Sequence, residues 1–323
     1  MRAIRFAETG GPEVLRLEEV AQPEPGPGEI RIRQEAIGVN FIDTYHRTGL
    51  YPVALPSGIG LEGAGMVEAV GEGVTRFQIG DRAGFCSGPI GAYAEAHLVP
   101  ADRAVRLPET MSFDLAAASL LKGMTARYLL RKTFPVKPKD FVVLYAAAGG
   151  VGQIATQWAV HLGATVIAIV GSEEKAAIAR SLGAQHALVQ GRDDIVAEVR
   201  RIGGGEGAAV VYDSVGRDTF HQSLDLLAPL GMLVSFGNAS GPVPEFSPAL
   251  LGMKGSLFLT RPSLFHYTRT PELLQETADE LFEVLAQGAV QVAPPRIYPL
   301  AGAAEAHADL EARRTTGSVV LRP

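Results

Sequence analysis

The chain has 323 residues, 47% of them apolar, with 29 Lys and Arg against 35 Asp and Glu for a formal net charge of −6. That length predicts about two domains, each able to bury a core, and the acidic balance argues against coating nucleic acid or an anionic membrane. A single cysteine, Cys86, excludes an internal disulfide and a Cys-rich zinc site, and fits a reducing, cytoplasmic compartment.

The opening stretch meets Glu8 and Gly10–Gly11 before any signal-peptide core develops. Candidate strands follow at Met1–Phe6, Val14–Val20 and Glu29–Asn40, separated by Gly- and Pro-rich turns, then at Gly65–Val70, Asp81–Phe85 and Ala94–Val99. Short strands at this spacing predict a small, irregular β-barrel or sandwich. A helix then opens at Ser112, a good N-cap. From Phe141 the chain alternates strand and helix: strands at Phe141–Ala147, Thr165–Val170, His186–Val189, Ala208–Val215, Gly231–Gly237 and Leu257–Arg261, helices at Val151–Leu162, Glu173–Leu182, Asp193–Ile202 and Asp218–Ala228. The strands are continuous apolar runs, as in a parallel sheet covered on both faces, with helix-ending glycines at Gly163, Gly183 and Gly231. The uncharged run from Phe141 to Ser172 is long enough to cross a bilayer, but it is broken by Gly149, Gly150, Gly152, Gln153, Gln157, His161 and Gly163, so no membrane span is expected. Helices at Pro271–Ala286 and Gly302–Arg314 and strands at Gln291–Tyr298 and Ser318–Arg322 close the chain. Their β partners lie in the first third, which makes that domain discontinuous.

The strongest chemical signal is Val142-Val-Leu-Tyr-Ala-Ala-Ala-Gly-Gly-Val-Gly152, a strand entering a Gly-rich turn that opens a helix. Ala147, Gly149 and Gly152 take the three positions of a G-x-G-x-x-G fingerprint. Gly149 allows close approach of a pyrophosphate, Gly152 allows close helix–strand packing, and the helix N-terminus faces the anion. The acid that usually holds a ribose 2′-OH at the end of the second strand is absent, since Val170 stands there. Gly171 clears space, Ser172 offers a hydroxyl, and Lys175 and Arg192 offer cations, so the expected cofactor is NADPH.

Beyond these features, Asn40-Phe-Ile-Asp43-Thr-Tyr45, Pro56-Ser-Gly-Ile-Gly-Leu-Glu-Gly-Ala-Gly65, Leu121-Lys-Gly-Met-Thr-Ala126, the glycine loop, Ser235-Phe-Gly-Asn238 and Thr260-Arg-Pro-Ser263 occur in one order. Over the whole chain this set resembles the zinc-free NADPH:quinone oxidoreductases (ζ-crystallin-like) of the medium-chain dehydrogenase/reductases. The resemblance implies an α/β protein in which a GroES-like β-rich catalytic domain (residues 1–123 and 263–323) is interrupted by a Rossmann domain (124–262), with the active site in the cleft between them. It implies that Asn40, Asp43, Tyr45 and Tyr51 line the nicotinamide side, Asn and Tyr as donors to a developing oxyanion. Thr125, Gly150 and Val151 are carried over to the pyrophosphate, Phe236, Gly237 and Asn238 to the nicotinamide, and Arg261 to the cleft or the cofactor. The family's frequent Tyr after the third strand is Gly191 here. A homodimer joined through Rossmann-sheet edges is also implied.

Zinc-dependent relatives carry Cys and His where this chain has Asn40 and Leu61, and the seven histidines show no ligand spacing, so no metal is expected. Without a Lewis acid, the chemistry suits an acceptor that takes hydride readily: a quinone first, or an alkene conjugated to a carbonyl (enone, enal or enoyl thioester). A non-catalytic NADPH-binding sensor or RNA-associated protein is the reading of another class, and the charge weighs against RNA. Tyr128 and Lys132 spell Y-x-x-x-K, the pair of short-chain dehydrogenases, but they precede the glycine loop and are read as coincidence.

Overall fold

The computed structural model describes residues 1–323, which pack into two units: Met1–Met124, Thr268–Phe282 and Val292–Pro323 form the first, Thr125–Tyr267 and Glu283–Gln291 the second. In chain order the first unit has β1 (Arg2–Phe6), β2 (Arg16–Glu19), β3 (Glu29–Val39), α1 (Phe41–Thr48), β4 (Ser57–Gly58), β5 (Glu62–Val70), β6 (Arg82–Phe85), β7 (Ala96–Pro100) and β8 (Val105–Arg106). The helix α2 (Phe113–Tyr128) follows, its first turn capped by Ser112 Oγ, which accepts the Leu115 N–H at 3.1 Å.

The second unit contains β9 (Phe141–Tyr145), α3 (Gly150–His161), β10 (Thr165–Val170), α4 (Glu173–Ser181), β11 (His186–Val189), α5 (Ile195–Ile202) and β12 (Ala208–Asp213). It continues through α6 (Phe220–Asp225), β13 (Leu227–Ser235), α7 (Ala249–Met253), β14 (Phe258–Thr260) and α8 (Leu264–Tyr267). Last come α9 (Pro271–Ala286), β15 (Arg296–Pro299), α10 (Ala303–Glu311) and β16 (Val319–Arg322).

Strand β3 organises the first unit. Its alternation puts Ile30 and Ile32 in the core and Arg31 and Arg33 on the other face. It pairs antiparallel with β5, β7 and β16, in a sheet of order β15-β16-β3-β5-β6-β8. The chain's last strand therefore lies beside an early one, as the sequence pattern predicts. The β3–β5 register sets Gly38 opposite Glu62.

The second unit is a six-stranded parallel sheet of order β11-β10-β9-β12-β13-β14, with Val142, Val143, Val210 and Val211 fully buried. Strand order reverses between β9 and β12, the position where open α/β sheets bind ligands. Gly163 (φ 85) and Gly183 (φ 96) end α3 and α4 in the left-handed conformation.

Several elements differ from their sequence signatures. Asn40 is not a strand end but the N-cap of α1, a helix the sequence reading passes over. Gly231 is not a helix stop: α6 has already ended at Asp225, and Gly231 lies inside β13. The strand expected from Gln291 begins only at Arg296, because Pro294 and Pro295 cannot donate to a ladder. Residues 283–291 pack with the second unit, where the Gln157 amide donates to Gln291 O and accepts from Gln291 N, both at 2.9 Å.

Candidate active site

In the first unit, α1 gathers the predicted catalytic residues. Asn40 holds the extended N-cap conformation (φ −130, ψ 154), Asp43 stands in the first turn, Tyr45 in the second, and Gly49 ends the helix at φ 81. The chain then turns back through Tyr51, whose N–H donates to Tyr45 O at 3.0 Å. The Tyr45 and Tyr51 rings meet edge to face at 5.2 Å, and Phe41 lies 5.7 Å from Tyr45.

Asn40 is oriented by a carboxylate. Its Nδ2 donates to Glu62 Oε2 at 2.8 Å, with Gly38 O at 3.5 Å. Because a carboxylate only accepts, the amide nitrogen must face Glu62 and the amide oxygen must face away. The same nitrogen carries a second N–H, so this bond leaves Asn40 able to donate as well as to accept. Glu62 also accepts the Leu121 N–H at 2.7 Å and the Lys122 ammonium at 3.2 Å, and both Glu62 and Lys122 are buried. A Cβ on Gly38 would run into the Glu62 carboxylate, which explains the glycine opposite it.

The Asp43 side chain, expected to line the substrate side, is fully buried. Its Oδ2 accepts the Asn40 N–H and the Tyr93 hydroxyl, each at 2.8 Å, and Oδ1 has no partner. Burial raises its pKa to about 7, against the pull of these two donors and of Lys122. Asp43 holds the helix entry.

In the second unit the glycine loop follows β9. Ala146 sits at φ 51, and its carbonyl accepts the Gly149 N–H at 2.8 Å, closing a tight turn. A Cβ on Gly152 would strike the Ala146 carbonyl and come 2.6 Å from Ala147 Cα, so this position tolerates only glycine. The first-turn N–H groups of Gly150, Val151 and Gly152 have no intrahelical acceptor. At the end of β10 a Cβ on Gly171 would meet nothing within 4 Å, and Ser172 caps α4 by accepting the Lys175 N–H at 3.3 Å. Arg192 is tied to Glu173 Oε2 at 2.5 Å and Asp193 Oδ1 at 2.9 Å.

Thr125 is buried within α2. Arg261 reaches back to β13, its Nη1 donating to Ser235 O and Gly237 O at 3.0 Å each, and so supports the Phe236-Gly237-Asn238 turn. The turn between β12 and α6 leans on buried Asp213, which accepts from Val215 N, Gly216 N, Thr219 Oγ1 and Ser223 Oγ. Tyr128 is buried and stacked on Tyr267 at 4.6 Å.

Sequence reasoning assigned no role to Glu62, Lys122, Tyr93 or Asp213. One signal was available for Glu62: a lone acid in the apolar, Gly-rich stretch Gly60-Leu-Glu-Gly-Ala-Gly65 has to find a buried partner. Nowhere do three or more His, Cys, Asp or Glu side chains gather into a metal shell.

Residues 26–109 match the family described as alcohol dehydrogenase GroES-like domain, and residues 150–282 the family described as zinc-binding dehydrogenase. The chain is 50% identical over 323 residues to the quinone oxidoreductase of Pseudomonas aeruginosa, covering 100% of this chain and 99% of that protein. It is 46% identical over 321 residues to a 2-haloacrylate reductase of a Burkholderia species, covering 97% and 96%. The crystal structure of Escherichia coli quinone oxidoreductase complexed with NADPH matches with a TM-score of 0.98 at 48% identity, covering 100% of both chains.

Proposed function

Since the chain belongs to the zinc-independent NADPH:quinone oxidoreductase (ζ-crystallin-like) family of medium-chain dehydrogenase/reductases, we propose that it is an NADPH-dependent reductase that transfers hydride from nicotinamide C4 to a quinone. The observation that carries this reading is the full-length identity of about half to quinone oxidoreductases, joined to a phosphate-binding loop with no ribose-binding acid after β10.

The residues of the second unit fit NADPH. Glycine at 149 and 152, with Ala147 in the same turn and the free amides of Gly150–Gly152, suits a pyrophosphate, and Thr125 of α2 would join them. The open space at Gly171, with Ser172 and Lys175 beside it and Arg192 beyond, suits a 2′-phosphate. Phe236, Gly237 and Asn238, braced by Arg261, would face the nicotinamide. When bound, the cofactor supplies the hydride.

The first unit supplies polar groups for the acceptor. The hydroxyls of Tyr45 and Tyr51 donate hydrogen bonds to the oxygen on which charge develops. Asn40, with one amide N–H held by Glu62, keeps a second N–H for the same oxygen. No metal takes part, and activity should survive chelators.

A second reading, reduction of an α,β-unsaturated carbonyl, is favoured by the 2-haloacrylate reductase among the relatives. Steady-state assays with 1,4-benzoquinone and an alkenal, each with NADPH and NADH, separate the two. We expect the larger kcat/KM for quinone with NADPH; a larger value for the alkenal reverses the order.

The edge strand β14 exposes Phe258, and Leu230 and Met253 are also exposed. The Leu230 N–H donates to Gly255 O at 2.9 Å, which keeps that turn beside the edge. An apolar, unpaired edge of this kind suits a second copy, so the protein is proposed to be a homodimer, to be checked by light scattering of wild type and Phe258→Lys. No helix is long and apolar enough to cross a membrane, and the proposed location is the cytoplasm.

A further inference from the structure

Behind Asp43 a line of buried polar side chains crosses the first unit. Tyr93 Oη lies 2.8 Å from Asp43 Oδ2 and 3.1 Å from His307 Nε2, and His307 Nδ1 lies 3.0 Å from Arg47 Nη1. Arg47 is held at the far end by Gly10 O at 3.1 Å and Glu311 Oε1 at 2.7 Å. Arg47 and His307 are 1% and 0% exposed, and 260 residues separate them in the chain. None of this is needed simply to fill space, since an apolar side chain would avoid burying a guanidinium and an imidazole.

The direction of every bond follows by elimination. A guanidinium only donates, so His307 Nδ1 accepts and its one proton sits on Nε2. Nε2–H must then donate to Tyr93 Oη, which leaves the Tyr93 proton for Asp43. Burial and the adjacent Arg47 keep the imidazole neutral, with its pKa down to about 3. With its proton on Nδ1 instead, His307 would accept from the Tyr93 hydroxyl at Nε2 and draw that proton away from Asp43, leaving the carboxylate short of a donor. With His307 fixed by Arg47, that alternative is closed. The other charges facing Asp43 are Lys122, which favours the ionised carboxyl, and Glu62, which opposes it.

We propose that His307 and Arg47 are positioning residues of the reductase: through Tyr93 they fix Asp43 as an acceptor for the Asn40 N–H, and so hold the first turn of α1 that presents Asn40 and Tyr45. The inference rests on the reading that those two side chains serve the substrate. A small misplacement at such a site carries a large rate cost, up to about a hundredfold for ~1 Å. The steric frame agrees, because a Cβ on Gly60 would come 2.5 Å from Tyr93 Cε1, so Gly60 leaves the space that this ring fills.

The test compares the full-length wild type with His307→Leu, His307→Gln, Tyr93→Phe and the double variant H307L/Y93F, using NADPH and 1,4-benzoquinone across pH. Glutamine can still donate to Tyr93, whereas leucine cannot. H307L and Y93F should each lose at least tenfold in kcat with KM for NADPH within twofold of wild type. The double variant should be no worse than either single, and H307Q should stay within about threefold. The acid-side half-maximal pH of kcat should rise in Y93F, because the ionised Asp43 loses the Tyr93 donor. Wild-type kcat in both H307L and Y93F, additive losses, or an H307Q as slow as H307L overturns the proposal. If H307L does not fold, the near-isosteric Y93F decides alone. A wild type inactive on quinones and alkenals alike removes the functional reading itself, whereas an active wild type with unaffected variants removes only this inference.

Discussion

The two units assemble polar groups in opposite ways. Around the glycine loop the second unit works mainly with backbone: Gly149, Gly152 and Gly171 make room, and the amides of one helix turn face outward. Around α1 the first unit works with side chains buried in pairs and chains, Glu62 with Lys122 and Asn40, Asp43 with Tyr93. A backbone site is specified by a few neighbouring residues and withstands change elsewhere. A buried network draws its members from distant segments, and each deletion leaves another group unsatisfied.

The sharpest way to break this contrast is Glu62→Gln. Removing one partner of the buried Glu62–Lys122 pair leaves an ammonium uncompensated and should cost about 3–5 kcal/mol of unfolding free energy, read from urea or thermal unfolding. A loss below ~1 kcal/mol would show that the first unit tolerates change as a surface does.

Lys175→Ala should act on the other side of the comparison. In the first turn of α4, it should weaken NADPH by about 1.5–3 kcal/mol relative to NADH while leaving unfolding almost unchanged. Titration of both cofactors measures the difference, and equal losses for the two would take Lys175 out of the phosphate site.

The smallest expected effect concerns pH. Asp43 titrates near 7 in the folded protein instead of its usual 3.8, so its stabilising contribution is lost as pH rises through that window. His307 titrates near 3 instead of 6.5, so its contribution is gained as pH rises from about 3 to 6.5. The two slopes oppose each other where they overlap, roughly pH 4 to 6.5. His307→Leu removes one of them, so its Tm should fall with rising pH across that range more steeply than the wild-type Tm does. Parallel curves would show that His307 does not titrate as the fold implies.

These contrasts also explain what the amino-acid order reveals. The parallel sheet, the glycine loop and the missing acid after Val170 are local patterns and were readable directly. Helix α1 was less visible, although Asn40 followed three residues later by Asp43 is a capping pair that could have flagged it. The burial of Asp43 was not readable, because a residue type says nothing of its surroundings. The orientation of Asn40 was not readable either, because only the Glu62 carboxylate across the β3–β5 ladder decides which way its amide points. His307 and Arg47 carry no local signal at all, being joined only by the return of the chain into the first unit.

That return has a temporal side. On the ribosome, β9 to β14 emerge as one continuous stretch and can close their parallel sheet while α10 and β16 are still unsynthesised. Until β16 arrives, β3 lacks one of its antiparallel neighbours, and until α10 arrives Arg47 has neither His307 nor Glu311. The nascent chain can therefore complete its parallel sheet before the first unit receives its last helix and strand.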